Sequence, residues 1–295
     1  MAGKIQIPEE LKKDLPQNNW GKILGATPIV MTVVATMLAG LASSEMTKAQ
    51  YNRSFAAQLQ SKAGDQWNYF QAKKLRSAVA HNSLDLLMAT TEVKPLDAAI
   101  LGTVDPAISA ALTKTQLPAA TPATFPENIA TALAALDAGK PDEEVNSLVN
   151  VIPQPALDKA LVDAREAANK FDDVAKPINK ASDKMDEQLM TGDKEIFRSF
   201  SAARLRLTSA RYDAEAKLNA AIGGVYELQV RKYNLLAERH HRRSTRFFMG
   251  MLAAQFGVIV ATFSIAAQKK SLLWSLAATA GAIAVSFSLY VYLYI

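Results

Sequence analysis

Three stretches of the chain carry no charged side chain: residues 23–44, 247–268 and 271–295. Each is close to the roughly 20 apolar residues a helix needs to cross a hydrocarbon core. Trp20 stands just before the first stretch, Trp274 near the start of the third, and Tyr290, Tyr292 and Tyr294 at its end, where amphipathic rings favour a membrane interface. A cleaved signal peptide is the other reading of the first stretch, but its leading segment is over 20 residues long and of mixed charge, which is not the signal-peptide pattern.

Between the first two stretches the polar chain divides in three. Residues 45–92 contain one glycine, Gly64, and no proline, and residues 196–246 are interrupted only by Gly223 and Gly224. Both predict long helices, the first of roughly 70 Å at 1.5 Å per residue. No turn residues separate them from the apolar stretches, so they are expected to continue the membrane helices and to form the two arms of an antiparallel hairpin stalk.

The segment 93–195 is punctuated by prolines between alanine-rich pieces. Short helices over Glu127–Ala138 and Glu143–Val149, and a longer one over about Ala156–Met190 with a possible interruption at Pro177, follow from that spacing. Thr191-Gly192-Asp193 ends the long helix and caps the next. The segment is expected as a small helical cap at the far end of the hairpin, with disorder of part of 115–127 as the alternative. Residues 1–22 form a tail with a brief helix start at Pro8. No strand-length alternation of apolar and polar residues is present. The fold class is therefore an all-α membrane protein: three transmembrane helices, a long antiparallel hairpin stalk and a small helical cap.

The stretch DQWNYFQAKKLR, residues 65–76, concentrates three aromatics and three cations. On a helix Trp67 and Phe70 share a face. Levelling the two arms at Glu45 and Arg246 sets Trp67 opposite Gly224, so that large rings on one arm meet Gly223 and Gly224 on the other. The same register brings Lys73, Lys74 and Arg76 near Asp213 and Glu215, as solvent-exposed pairs of little individual worth. Aromatics among cations also stack nucleic-acid bases, but a helix that needs a partner arm favours packing. Ala49, Ala56 and Ala63, at heptad spacing with Leu59, form a narrow seam on the first arm; Leu218, Ile222, Val225 and Leu228 form the stripe on the second. So slender a core argues for self-association or a partner.

Net charge is +5, but residues 93–195 hold 10 basic and 17 acidic side chains, 10 − 17 = −7, leaving +12 elsewhere. An acidic middle with basic, membrane-adjacent ends suits a protein near anionic lipid, whereas a nucleic-acid binder should concentrate its positive charge on the soluble part, so no nucleic-acid partner is expected. With no cysteine, disulfides and thiol chemistry are excluded. His81, His240 and His241 lack a ligand set and are read as solvated or headgroup-facing, so no metal or cofactor is expected. Phosphate loops, nucleophile elbows and dinucleotide fingerprints are missing, and the acidic groups Asp172-Asp173 and Asp142-Glu143-Glu144 are read as solvated surface. No enzyme is expected.

The order of features, a span, then DQWNYFQAKKLR, then Arg211-Tyr-Asp-Ala-Glu215, then Glu238-Arg-His-His-Arg-Arg before a span with Ala254-Gln255, then a last span after Lys269-Lys270, resembles a bacterial membrane protein family known only as a domain of unknown function. The likeness covers about residues 20–92 and 196–295, and its most specific part is Trp67, Tyr69, Phe70, Gln71, Ala72 and Lys73. The segment from 93 to about 190 departs from that pattern and reads as an insertion between the arms. The resemblance implies architecture and no activity.

The three spans hold no buried carboxylate that energy coupling normally uses. Their small residues, Ala35, Ala39 and Ser43, then Ala253, Gly257 and Ala261, suit helix packing, while Thr36, Gln255 and Thr262 are candidate pore-lining residues. Arg239, Arg242, Arg243 and Arg246 are candidates for anionic headgroup binding or orientation. Counted near the spans, seven basic residues lie on the soluble-domain side and five opposite, so the stalk leans cytoplasmic, with the periplasm open. The expected function is a non-enzymatic scaffold or accessory subunit of the bacterial inner membrane, a homo-oligomer or the binder of a protein partner through its cap. The alternative is a homo-oligomeric ion or small-solute channel without energy coupling.

Overall fold

The computed structural model describes residues 19–101, 106–117, 121–266 and 272–294. The helix start at Pro8, the lysines at 12, 13, 269 and 270, and the Trp20 side chain lie outside the described residues. Seven α-helices follow in order among those described: α1 Asn19–Thr90, α2 Pro106–Lys114, α3 Glu127–Asp137, α4 Asp142–Val151, α5 Gln154–Leu189, α6 Lys194–Ala266 and α7 Leu272–Tyr294, with a 3-10 turn at Ala98–Leu101. No strand occurs among the described residues. Helices α1, α6 and α7 are each long and apolar enough to cross a membrane.

Local chemistry sets the boundaries. Pro126, Pro141 and Pro153 stand immediately before α3, α4 and α5, where a missing N–H costs nothing. Gly139 takes the left-handed φ of 63° that ends α3, and its successor's N–H returns to the Ala135 carbonyl. The Asp193 carboxylate caps α6 by accepting the Glu195 N–H at 2.7 Å. Pro177 does not interrupt α5, which runs unbroken for 36 residues.

The chain divides into two compact units, one formed by residues up to Ser54 together with Tyr233–Ile295, the other by Phe55–Lys232. In the first unit, the Met31 side chain fills a hole between α6 and α7. A Cβ on Gly257 would collide with its Cε, and one on Gly281 would stand 2.5 Å from its Sδ. The Trp274 indole N–H donates to Thr27 Oγ1 at 3.1 Å, tying α7 to α1. Val33, Met37, Phe256, Phe263, Ile283 and Leu289 turn outward and are exposed. An apolar outer surface on all three helices is stable only in apolar surroundings.

In the second unit α6 is the central helix, and Ile222, Val225, Tyr226 and Leu228 are all buried. Helix α1 lies antiparallel along one side of it, with Lys73 paired to Glu215, Lys74 to Asp213 at 2.9 Å and Ser77 to Ser209 at 3.0 Å. The 93–195 segment lies along the flank of α6, not only at the far end of the hairpin. From the α4 side to the end of α5, Asp142 meets Arg231 at 2.7 Å, Asp158 meets Gln229 at 2.8 Å, Phe171 packs with Leu218, and Asp183 and Asp186 hold Arg204 at 2.7 Å.

The reason is the apolar stripe of α5, with Leu157, Ala160, Ala164, Phe171, Ala175 and Ile178 buried. Covering one such large side chain contributes about 1.5–3 kcal/mol, and α6 supplies a face long enough for all of them. The arms therefore do not depend on each other alone, which removes the argument from a slender core. It also accounts for the acidity of this segment in part, since its carboxylates face arginines of α6.

Candidate functional site

Two clusters of polar side chains stand out, one in each unit. In the 55–232 unit, Trp67 lies on α6: a Cβ on Gly223 would meet its Cε2 at 3.3 Å and its Nε1 at 3.4 Å. The indole N–H donates to Glu227 Oε1 at 2.5 Å, one turn further along α6, and Phe70 meets the ring edge-on with centroids 5.5 Å apart. Gly224, levelled with residue 67 by sequence, instead faces Leu133 of α3, whose Cδ2 would be 2.9 Å from an added Cβ. The double glycine thus serves two partners on adjoining sides, an aromatic arm and an inserted helix. Glycine is tolerated there because α6 is crowded on both.

Beside this node, Gln66, Tyr69 and Lys73 of α1, Arg165, Asn169 and Asp172 of α5, and Glu215 and Asn219 of α6 line a cleft of about 440 Å³. Arg165 bonds the Tyr226 hydroxyl and lies 5.3 Å from the centre of its ring. Lys73 and Arg76 lie over the Tyr212 ring at 5.3 and 5.8 Å. The Lys74–Asp213 pair is about half exposed (48% and 44%), but Lys73–Glu215 is mostly covered (26% and 14%), so that second pair is less solvated than an ordinary surface bridge. The hydrogen bond from Lys74 is the main reason that the Asp213 carboxyl sits below its ordinary value.

In the other unit, Glu45 follows the first apolar stretch and is only 8% exposed. His240 Nδ1 lies 2.6 Å from its Oε2 and Lys48 Nζ 2.8 Å from its Oε1. Ser244, one turn beyond His240, donates to the Ala42 carbonyl at 2.7 Å. Burial raises the Glu45 carboxyl, but the hydrogen bonds and charges of His240 and Lys48 together outweigh it and hold the pKa below the ordinary carboxylate range. His240 is therefore not a solvated side chain. Its partner is 195 residues away in sequence, and levelling the arms at Glu45 and Arg246 sets residue 51, not 45, opposite it.

Residues 20–117 match the family model described as a domain of unknown function (DUF4337). The match bears out the resemblance to a family of unknown function over its first part and extends past residue 92 into the segment read as an insertion, while residues 196–295 lie outside the matched stretch. No curated protein and no solved structure matches the chain. The DUF4337 stretch contains Met31, Glu45, Trp67 and Lys73; the groups they meet, Gly257, His240, Gly223 and Glu215, all lie outside it. Within each unit, contacts between the DUF4337 stretch and α6 thus hold the helices together.

The remaining candidates are dispersed. Arg239 and Arg242 are exposed and Arg243 and Arg246 half-buried; Arg242 meets Glu238 at 3.3 Å, and Arg243 Nε is buried without a partner. Thr36 and Gln255 line one groove on the three-helix unit. Thr262 is not among the residues lining that groove, and its hydroxyl donates to the Val258 carbonyl at 2.8 Å. Asp172 lines the cleft described above and is exposed, and Asp142 engages Arg231. No cluster of three His, Asp or Glu side chains able to hold a metal occurs among the described residues.

Proposed function

We propose that this chain is a multi-pass protein of the bacterial inner membrane that acts as a non-enzymatic scaffold or accessory subunit, self-associating or engaging a protein partner through its helical stalk and cap. The observation that carries this reading is how the polar side chains of the 55–232 unit are used. Glu227, Glu215, Asp213, Asp158, Asp142, Asp183 and Asp186 each bond a side chain of another helix. Chemistry committed to holding helices together supports an assembly element more than a reaction centre. Exposed Arg239 and Arg242, next to the second apolar stretch, suit anionic headgroups, and the excess of basic residues on that side favours a cytoplasmic stalk.

Native mass measured after gentle extraction from the membrane tests the proposal. A homo-oligomer, or a stoichiometric second polypeptide, supports it; a strictly monomeric particle overturns it. A channel is the second reading, favoured by Thr36 and Gln255 sharing one groove of about 460 Å³. It requires conductance in planar bilayers that Gln255→Leu abolishes.

A further inference from the structure

Gln255 lies on α6 nine residues after the last charged side chain, Arg246, so it sits about 13 Å along the helix from that edge. That depth is near the middle of a hydrocarbon core of about 30 Å. Its side chain is exposed, and no hydrogen bond is made to it by any described residue. The threonines of the spans contrast with it: Thr27, Thr32, Thr36, Thr262 and Thr279 each donate to a carbonyl one turn back in their own helix. The Gln255 carboxamide makes no such bond, and in lipid an unpaired one is strongly disfavoured.

The surroundings of Gln255 offer what it lacks. It lines the groove between α1 and α6 together with Thr32, Ala35, Thr36, Ala39 and Val258. The Thr32 and Thr36 protons are committed to Pro28 and Thr32 carbonyls at 2.8 and 2.9 Å, which leaves their oxygens as acceptors. Ala35 and Ala39 let another helix approach closely. An acyl chain has neither donor nor acceptor and satisfies nothing here. A carboxamide, however, is its own complement, donating through its NH2 and accepting through its oxygen.

We infer that this groove is the contact surface for a second copy of the chain, in which Gln255 of each copy is bonded by the carboxamide or threonine oxygens of the other about a two-fold axis. The inference rests on the self-association proposed above and names its surface.

The chain has no cysteine, so a single Gln255→Cys gives a clean cross-linking site. In native membranes, oxidation or a short bis-maleimide is expected to trap a homodimer at 255 and not at the exposed control Ile283→Cys on α7. Gln255→Leu, which leaves the fold of the single chain untouched at an exposed site, is expected to lower the dimer fraction by about tenfold, and Gln255→Asn to retain most of it. An oligomeric native mass without preferential cross-linking at 255, or unaffected by Gln255→Leu, overturns this surface while self-association stands. A monomeric mass overturns both. Cross-linking of the Gln255→Cys variant to a different polypeptide overturns the second copy as the occupant.

Discussion

The Trp67 indole donates to Glu227 at 2.5 Å, and the same ring leaves only 3.3 Å for a Cβ at Gly223. The hydrogen bond and the edge-on contact with Phe70 fix the ring, so it cannot yield. Alanine at 223 gains about 1 kcal/mol of helix propensity but forces overpacking that costs typically 1–3 kcal/mol. At Gly224 the obstacle is the end of the Leu133 side chain, which can rotate away. Gly223→Ala is therefore expected to be destabilising by about 1 kcal/mol and Gly224→Ala to stay within about 0.5 kcal/mol of wild type, measured by thermal unfolding in detergent. Equal effects at both sites would show that the ring is not the constraint.

Met31 is the corresponding knob in the three-helix unit, between Gly257 and Gly281. Lipid supplies no hydrophobic driving force between helices, so close contact itself holds them. Met31→Ala leaves a void and is expected to cost about 2–5 kcal/mol. Gly257→Leu is expected to be worse, because the Ala277 carbonyl already lies 3.3 Å from an added Cβ and backbone cannot retreat as a methionine end can. Residual native structure by circular dichroism against a steric-trap or denaturant series gives the order. A Gly257→Leu protein as stable as wild type would deny the close approach.

Much of this architecture is legible in the residues. The absence of charge over 23–44, 247–268 and 271–295 and the scarcity of glycine and proline in the arms mark the long helices. Levelling the arms comes within one residue of the partner of Trp67, a shift of about 1.5 Å along a helix that decides which glycine meets the ring. Counting residues from the membrane edges cannot resolve so small a step. The same levelling sets His240 opposite Tyr51, six residues or about 9 Å along the helix from Glu45, and histidines weighed only as metal ligands do not disclose a carboxylate partner on another helix. The flank position of α5 is legible only in the length of its apolar stripe, because prolines between short helices say where turns fall and not which face they return to.

Glu45 makes stability depend on pH. Its folded pKa lies below the ordinary value of 4.5, so the folded state favours the ionised form. That contribution is complete above the ordinary value and is lost as pH falls through the folded pKa. Glu45→Gln is expected to lower the melting temperature at neutral pH, with the difference from wild type shrinking below pH 4.5. A difference that persists unchanged in acid would assign the effect to shape and not to charge.

The flank position of the inserted helices predicts a cross-link. Asp142 and Arg231 meet at 2.7 Å, yet the Asp142 side chain is 79% exposed, so the pair itself is worth little and Asp142→Ala should change stability by no more than about 0.5 kcal/mol. Position is the stronger readout. In the cysteine-free chain, Asp142→Cys combined with Arg231→Cys is expected to give an intramolecular link with a short bis-maleimide, identified by mass spectrometry of the joined peptides. A segment seated only beyond the far end of the hairpin would hold residue 142 far from 231, because α6 runs about 55 Å from its start at Lys194 to residue 231 at 1.5 Å per residue, and no link would form.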